Sequence, residues 1–241
     1  MAIALALLVS ADPITIQQCS RALQEYSISP DVCQEAAGAV YLLNRRKFDA
    51  VIVDFQLGEE AELILDEAHL SPSNRTAVTF AISGSAAEDT AFRKRSEFVF
   101  ERPLSPQSIR STLKPAYGLI LRERRRYFRC PISISVSILR QSMPEVRCHS
   151  VNVSEGGMAV STLVPLSAGE NVKVQFTLPS HKASLLAEAR ICWLKTDLLG
   201  IRFVSLSPES KSELQGWLSR KLEESLPESV AHKFRKAESP P

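Results

Sequence analysis

Arg124-Arg125-Arg126-Tyr127-Phe128-Arg129 and Asn152-Val153-Ser154-Glu155-Gly156-Gly157 divide this chain of 241 residues into two kinds of sequence. Upstream of the arginines, short apolar runs alternate with segments of helical period. Downstream, the period falls to two. Four arginines in six residues form an anion and π-face reader. Each guanidinium is a planar donor fork that fits phosphate oxygens and stays charged at any working pH. The same fork fits the O6/N7 edge of guanine, and its flat face stacks on a purine. In the second stretch, strand alternation sends Val151 and Val153 toward a core and Asn152 and Ser154 toward solvent or ligand. Gly156-Gly157 is expected to supply positive φ and a close approach to the backbone.

These residues resemble the PilZ family of cyclic di-GMP receptors. The family carries RxxxR followed by D/N-x-S-x-x-G. Arg125-x-x-x-Arg129 and Asn152-x-Ser154-x-x-Gly157 match both, in order, and the resemblance runs from Arg124 to Leu226. It implies cyclic di-GMP as ligand, contacted by Arg125, Arg129, Asn152, Ser154 and Gly157. Arg124, just before the first motif, implies an intercalated pair of ligand molecules rather than one. The competing reading is a charged linker end followed by an ordinary hairpin turn, and it must explain two matched motifs by coincidence.

Residues 1–114 read as a doubly wound α/β domain. Ile3–Val9, Ser27–Gln34, Ala50–Val53, Ala77–Ile82 and Phe98–Phe100 read as strands. Asp12–Tyr26, Ala36–Arg46, Glu59–Leu70, Glu88–Ser96 and Pro106–Leu113 read as helices. Five alternations imply a five-stranded parallel, flavodoxin-like sheet with helices on both faces. This half resembles the receiver domain of response regulators. Asp54 falls at the phosphoacceptor position, Ser83 at the hydroxyl position and Arg102-Pro103 where the family has Lys-Pro. The acidic pair that holds Mg²⁺ in the family is replaced by Ser10 and Ala11, and Asp12 follows them. Mg²⁺ wants carboxylate oxygens. The resemblance therefore implies a pseudo-receiver without a metal, in which Asp54 pairs with Arg102. A phosphorylation-controlled regulator acting through Asp54, and an adaptor whose barrel binds no nucleotide, are the alternatives. In either case this half is expected to be a protein-contact module for an unidentified partner.

Pro115 should interrupt the helix after Lys114, leaving residues 115–128 as a helical linker and basic arm. Residues 129–226 read as a six-stranded antiparallel barrel over Ile132–Leu139, Glu145–Val153, Met158–Ser161, Val172–Leu178, Leu185–Leu194 and Gly200–Val204. Trp193 is expected in the core or on the rim. Ser207-Pro208-Glu209 opens a terminal helix whose Leu214, Trp217, Leu218 and Leu222 form an apolar face for the barrel or for a homodimer partner. Residues 227–241 are polar and expected to be disordered.

Net charge is only +2, and no second basic stripe interleaves with aromatics, which argues against nucleic acid. The five cysteines contain no CxxC, and the four histidines are scattered, so neither a metal site nor a catalytic constellation is expected. No run of eighteen apolar residues occurs, and Met1–Val9 lacks a basic n-region; membrane insertion is not expected, and the cytoplasm is the expected compartment.

Overall fold

The computed structural model describes residues 2–84, 95–141 and 143–225. They fall into two compact units that divide between Arg124 and Arg125.

The first unit is a parallel sheet of β1 (Ala4–Val9), β2 (Ile28–Cys33), β3 (Ala50–Asp54), β4 (Val78–Ser83) and β5 (Phe98–Glu101) in the order 2-1-3-4-5. That is the flavodoxin-like order expected, in which ligands gather beyond the carboxyl ends of the strands. β1, β3 and β4 are apolar and almost wholly buried, as strands covered on both faces must be. Helices α1 (Pro13–Glu25), α2 (Ala36–Arg45), α3 (Glu59–Leu70) and α4 (Pro106–Tyr127) accompany the sheet. The expected helix over Glu88–Ser96 lies mostly outside the described residues. Asp12 caps α1 by accepting from the amides of Ile14 and Thr15, with Pro13 at the first helical position. Ser105 and Ser108 cap α4 reciprocally, each hydroxyl accepting from the other's amide.

Helix α4 corrects the sequence reading. Pro115 does not stop it; the helix is continuous to Tyr127. Proline inside a helix costs about 3 kcal/mol, because residue 111 loses its amide partner. Ile109, Leu113, Ala116, Ile120 and Leu121 form a buried stripe on both sides of Pro115. Burying large apolar side chains is worth about 1.5–3 kcal/mol each, so the stripe outweighs the proline. The helix is fixed further on by Glu123, whose carboxylate accepts from Lys47 Nζ at 2.7 Å and Thr76 Oγ1 at 2.6 Å. An arm expected to be a linker is therefore packed against the first unit as far as Glu123.

The second unit is antiparallel: β6 (Cys130–Pro131), β7 (Ser135–Leu139), β8 (Val146–Ser154), β9 (Gly157–Ser161), β10 (Asn171–Phe176), β11 (Leu185–Lys195) and β12 (Leu198–Leu206). The pairing runs 8-7-10-11-12-9 and returns to 8, closing a six-stranded barrel. The expected strand Ile132–Leu139 is shortened to β7, and a separate short strand, β6, precedes it; both pair with β8. The buried Ser150 hydroxyl fills the gap between them, donating to the Ile132 carbonyl at 2.5 Å and accepting from the Ile134 amide at 3.0 Å. Helix α5 (Pro208–Glu224), capped by Ser207, packs Leu214, Trp217 and Leu218 into the barrel core. Trp193 is 45% exposed and lies over Gly200, where a Cβ would meet the indole at 2.1 Å. All five cysteines are free thiols; Cys192 is exposed, Cys33 half-buried and the other three buried. The tail beyond residue 225 lies outside the described residues.

Candidate functional site

Two clusters of charge answer to the sequence motifs. In the first unit, Asp54 ends β3 and is 1% exposed. Its Oδ2 accepts from Ser10 Oγ at 2.7 Å and from Arg102 Nη2 at 2.8 Å, and its Oδ1 accepts from the Gln56 amide at 3.1 Å. Arg102 Nη2 also donates to Thr15 Oγ1 at 3.0 Å, and Arg102 Nη1 lies 3.8 Å from Asp12 Oδ2. The expected Asp54–Arg102 pair is present. Ser10 occupies one acidic-pair position and donates to Asp54 instead of offering a second carboxylate. Asp12 is spent on capping α1, and those hydrogen bonds, first that of the Thr15 hydroxyl, hold its carboxyl below the ordinary range. This donor set does not suit Mg²⁺, since a guanidinium already sits on the one buried carboxylate. The neighbouring Cys19 thiol is pushed up to about 12, by burial first and then by the charge of Asp54. Ser83 is buried, and its hydroxyl has no partner among the described residues.

In the second unit the two motifs become neighbours through strand pairing. Cys130 is the partner of Val153 and Pro131 of Asn152, so Arg129, the residue before β6, adjoins the Ser154 end of β8. Ser154 in turn pairs with Gly157 across the β8–β9 turn. At the close of α4 the Phe128 amide donates to the Arg125 carbonyl at 3.1 Å. Arg129 is exposed, and Arg124 and Arg125 are half-buried. Among the described residues Arg129 has no hydrogen bond or ion pair. Arg124 belongs to the first unit, and its charge draws Asp49 downward against the larger, raising effect of burial.

β8 does not alternate as expected. Its register on β9 shifts between Ser150 and Asn152. A bulge of this kind inserts one residue and re-aims those that follow. Before it, Val146, Cys148 and Ser150 face inward; after it, Val153 does. Val151, expected in the core, is 43% exposed. Asn152 is half-buried, and its Oδ1 is a buried acceptor with no partner among the described residues. Ser154 is 5% exposed, and its hydroxyl donates to the Gly157 carbonyl at 2.9 Å, closing the turn.

The glycines work differently from the expectation. Among the described glycines only Gly58 and Gly169 have positive φ. Gly157 is required by close packing: a Cβ there would meet the Ile201 carbonyl oxygen of β12 at 2.0 Å. Gly156 has open space around it, and its carbonyl accepts from the Phe203 amide at 2.9 Å.

A family model described as PilZ domain matches residues 123–220. That segment is a PilZ domain. Its boundaries take in both motifs, six strands of the barrel and most of α5. No match is found among curated proteins. Among solved structures, the inhibitor of motility MotI/DgrA from Bacillus subtilis matches at 21% identity and TM-score 0.39, over 43% of this chain and 53% of that one. YcgR from Escherichia coli, solved in complex with c-di-GMP, matches at 23% identity and TM-score 0.37, over 42% of this chain and 47% of that one. This chain thus spans about half the length of either. The receiver domain of a sensor histidine kinase from Pseudomonas aeruginosa matches at 14% identity and TM-score 0.42, over 48% of this chain and 97% of that domain. A unit with the flavodoxin-like sheet order 2-1-3-4-5 precedes the PilZ domain. No described helix is long and apolar enough to cross a membrane.

Proposed function

We propose that this chain is a cyclic di-GMP effector, working in the cytoplasm, whose PilZ domain binds the dinucleotide between the basic arm and the Asn152–Gly157 turn. The observation that supports it is the register of β6 on β8, in which Cys130 and Pro131, directly after Arg129, pair with Val153 and Asn152 of the second motif. Arg125 and Arg129 supply guanidinium forks to phosphate and to the Hoogsteen edge of guanine. Asn152 offers its unpartnered Oδ1 to a base N–H; a buried acceptor left unmet costs about 1–3 kcal/mol, and a ligand donor would recover it. Ser154 and Gly157 hold the turn. Arg124 is assigned to a second, intercalated ligand molecule.

The receiver-like domain serves as a protein-contact or dimerisation module and not as a phosphorylation switch. Asp54 is already matched by Ser10 and Arg102, which supports that reading. Since α4 runs unbroken into the first motif, ligand capture by the arm resets the arrangement of the two domains by favouring one arrangement over another. The activity is binding and signalling, not catalysis.

The test is a calorimetric titration with cyclic di-GMP on the native protein and on Arg125→Ala/Arg129→Ala. Each lost charged hydrogen bond costs about 1.5–3 kcal/mol, so the double variant should bind at least about a hundredfold more weakly. The stoichiometry tests the role given to Arg124. No binding by the native chain removes the proposal.

A further inference from the structure

The register of the barrel continues past the motif. Gly157 of β9 pairs with Arg202 of β12, and Arg202 pairs with Arg190 of β11. Directly opposed residues on neighbouring strands share a face. Ser154, Gly157, Arg202 and Arg190 therefore form one row across four neighbouring strands, and Arg129 immediately precedes the next strand, β6. Strands lie about 4.8 Å apart, so β6 and β12 are separated by about 14 Å along the sheet, with the Ser154–Gly157 turn between them.

Arg202 is anomalous in this row. It is exposed, and among the described residues it has no hydrogen bond or ion pair. Its cross-strand neighbour is another exposed arginine, and like charges directly opposite destabilise a sheet. Arg190 has a local use, since its Nε donates to the Gly169 carbonyl at 3.1 Å. Nothing among the described residues offsets the charge of Arg202. Arg147, exposed on β8, shows the contrast: its Nε is 3.3 Å from Glu145.

We infer that Arg202, supported by Arg190, is a further ligand-contacting residue of the same site, taking an anionic phosphate of the dinucleotide on the β12 side of the turn while Arg129 takes the β6 side. The inference rests on the cyclic di-GMP reading above. The arrangement brackets a dianionic ligand between cations on two edges of one turn. Bound phosphate would also relieve the opposition of Arg202 and Arg190.

The experiment titrates cyclic di-GMP into the full chain as native protein, Arg202→Ala, Arg190→Ala and Arg147→Ala, with ligand-free thermal unfolding measured on each. Arg202→Ala should bind about tenfold or more weakly, and Arg190→Ala more weakly by a smaller factor. Arg147→Ala should match the native protein. The ligand-free unfolding temperature of Arg202→Ala should be unchanged or raised, because a like-charge pair has been removed. A role confined to folding would lower it instead. Native-like affinity of Arg202→Ala, in a series where Arg125→Ala/Arg129→Ala fails to bind, would overturn this inference and leave the proposed function standing. Absence of binding by the native protein would overturn both.

Discussion

The pocket around Asp54 and the row around Ser154 both present charge at the ends of strands, yet one is complete and the other is not. At Asp54 each carboxylate oxygen has a donor, and the arginine that approaches it is shared with Thr15 and Asp12. At the barrel turn, Arg129 and Arg202 have no described partner, and the Asn152 Oδ1 lacks a donor. A buried network whose charges are matched internally has nothing left to offer a ligand. A row with unmatched cations and an unmatched acceptor keeps that capacity. Motif matching alone places Asp54 and Arg129 on the same footing; the hydrogen bonds separate them.

The contrast can be broken most sharply at Arg102. Arg102→Met leaves Asp54 buried with its cation removed, which should cost about 3–5 kcal/mol of stability, read by chemical unfolding. A neutral outcome would mean that the pocket is not a closed network. In the barrel the corresponding structural lesion is Gly157→Ala. The new Cβ must displace the β12 backbone at Ile201, at a cost of about 1–3 kcal/mol, and ligand affinity should fall with it. Full stability in Gly157→Ala would show that the glycine is not needed for packing. A small phosphodonor should leave Asp54 unlabelled, as mass spectrometry of the intact protein would show; a label lost in Asp54→Asn would reopen the phosphorylation reading.

The smallest effect concerns Asp49, which shows that an unmet atom is not by itself a ligand site. Its Oδ2 accepts from the Leu5 amide at 2.9 Å, while its Oδ1 is buried without a described partner. Burial raises its pKa above the ordinary 3.8, with Leu5, Arg124 and Lys47 working against that shift. The folded state thus holds this proton more tightly than the unfolded chain, and the Asp49 contribution to stability declines as pH rises from 3.8 through the raised value. Asp49→Asn should therefore be somewhat more stable than native protein at neutral pH, with the advantage shrinking toward pH 4. An advantage that grows on acidification would reverse the assignment.

The doubly wound sheet, the closed barrel and the Ser207 cap were readable in the sequence from rules of period and capping, and the Asp54–Arg102 pair followed from the resemblance of the first half. Three features were not. The continuity of α4 depends on what Ile109 to Leu121 pack against, which proline propensity does not report. The bulge at Val151 reverses the strand phase through cross-strand register. Arg202 becomes notable only through its pairing with Gly157, some forty-five residues away in the chain. A possible clue lay in the charged pattern Arg190 and Arg202 of adjacent strands, but single-strand periodicity says nothing about which residues oppose each other.

The unbroken α4 has a consequence for the history of the chain. A recombination that exchanged the first domain at Lys114 would cut through the buried stripe and strip the first unit of apolar cover. Along α4 the compact units part between Arg124 and Arg125, inside the arginine run itself. The arginine run is therefore divided, Arg124 ending the first unit's stretch of helix and Arg125 opening the second unit.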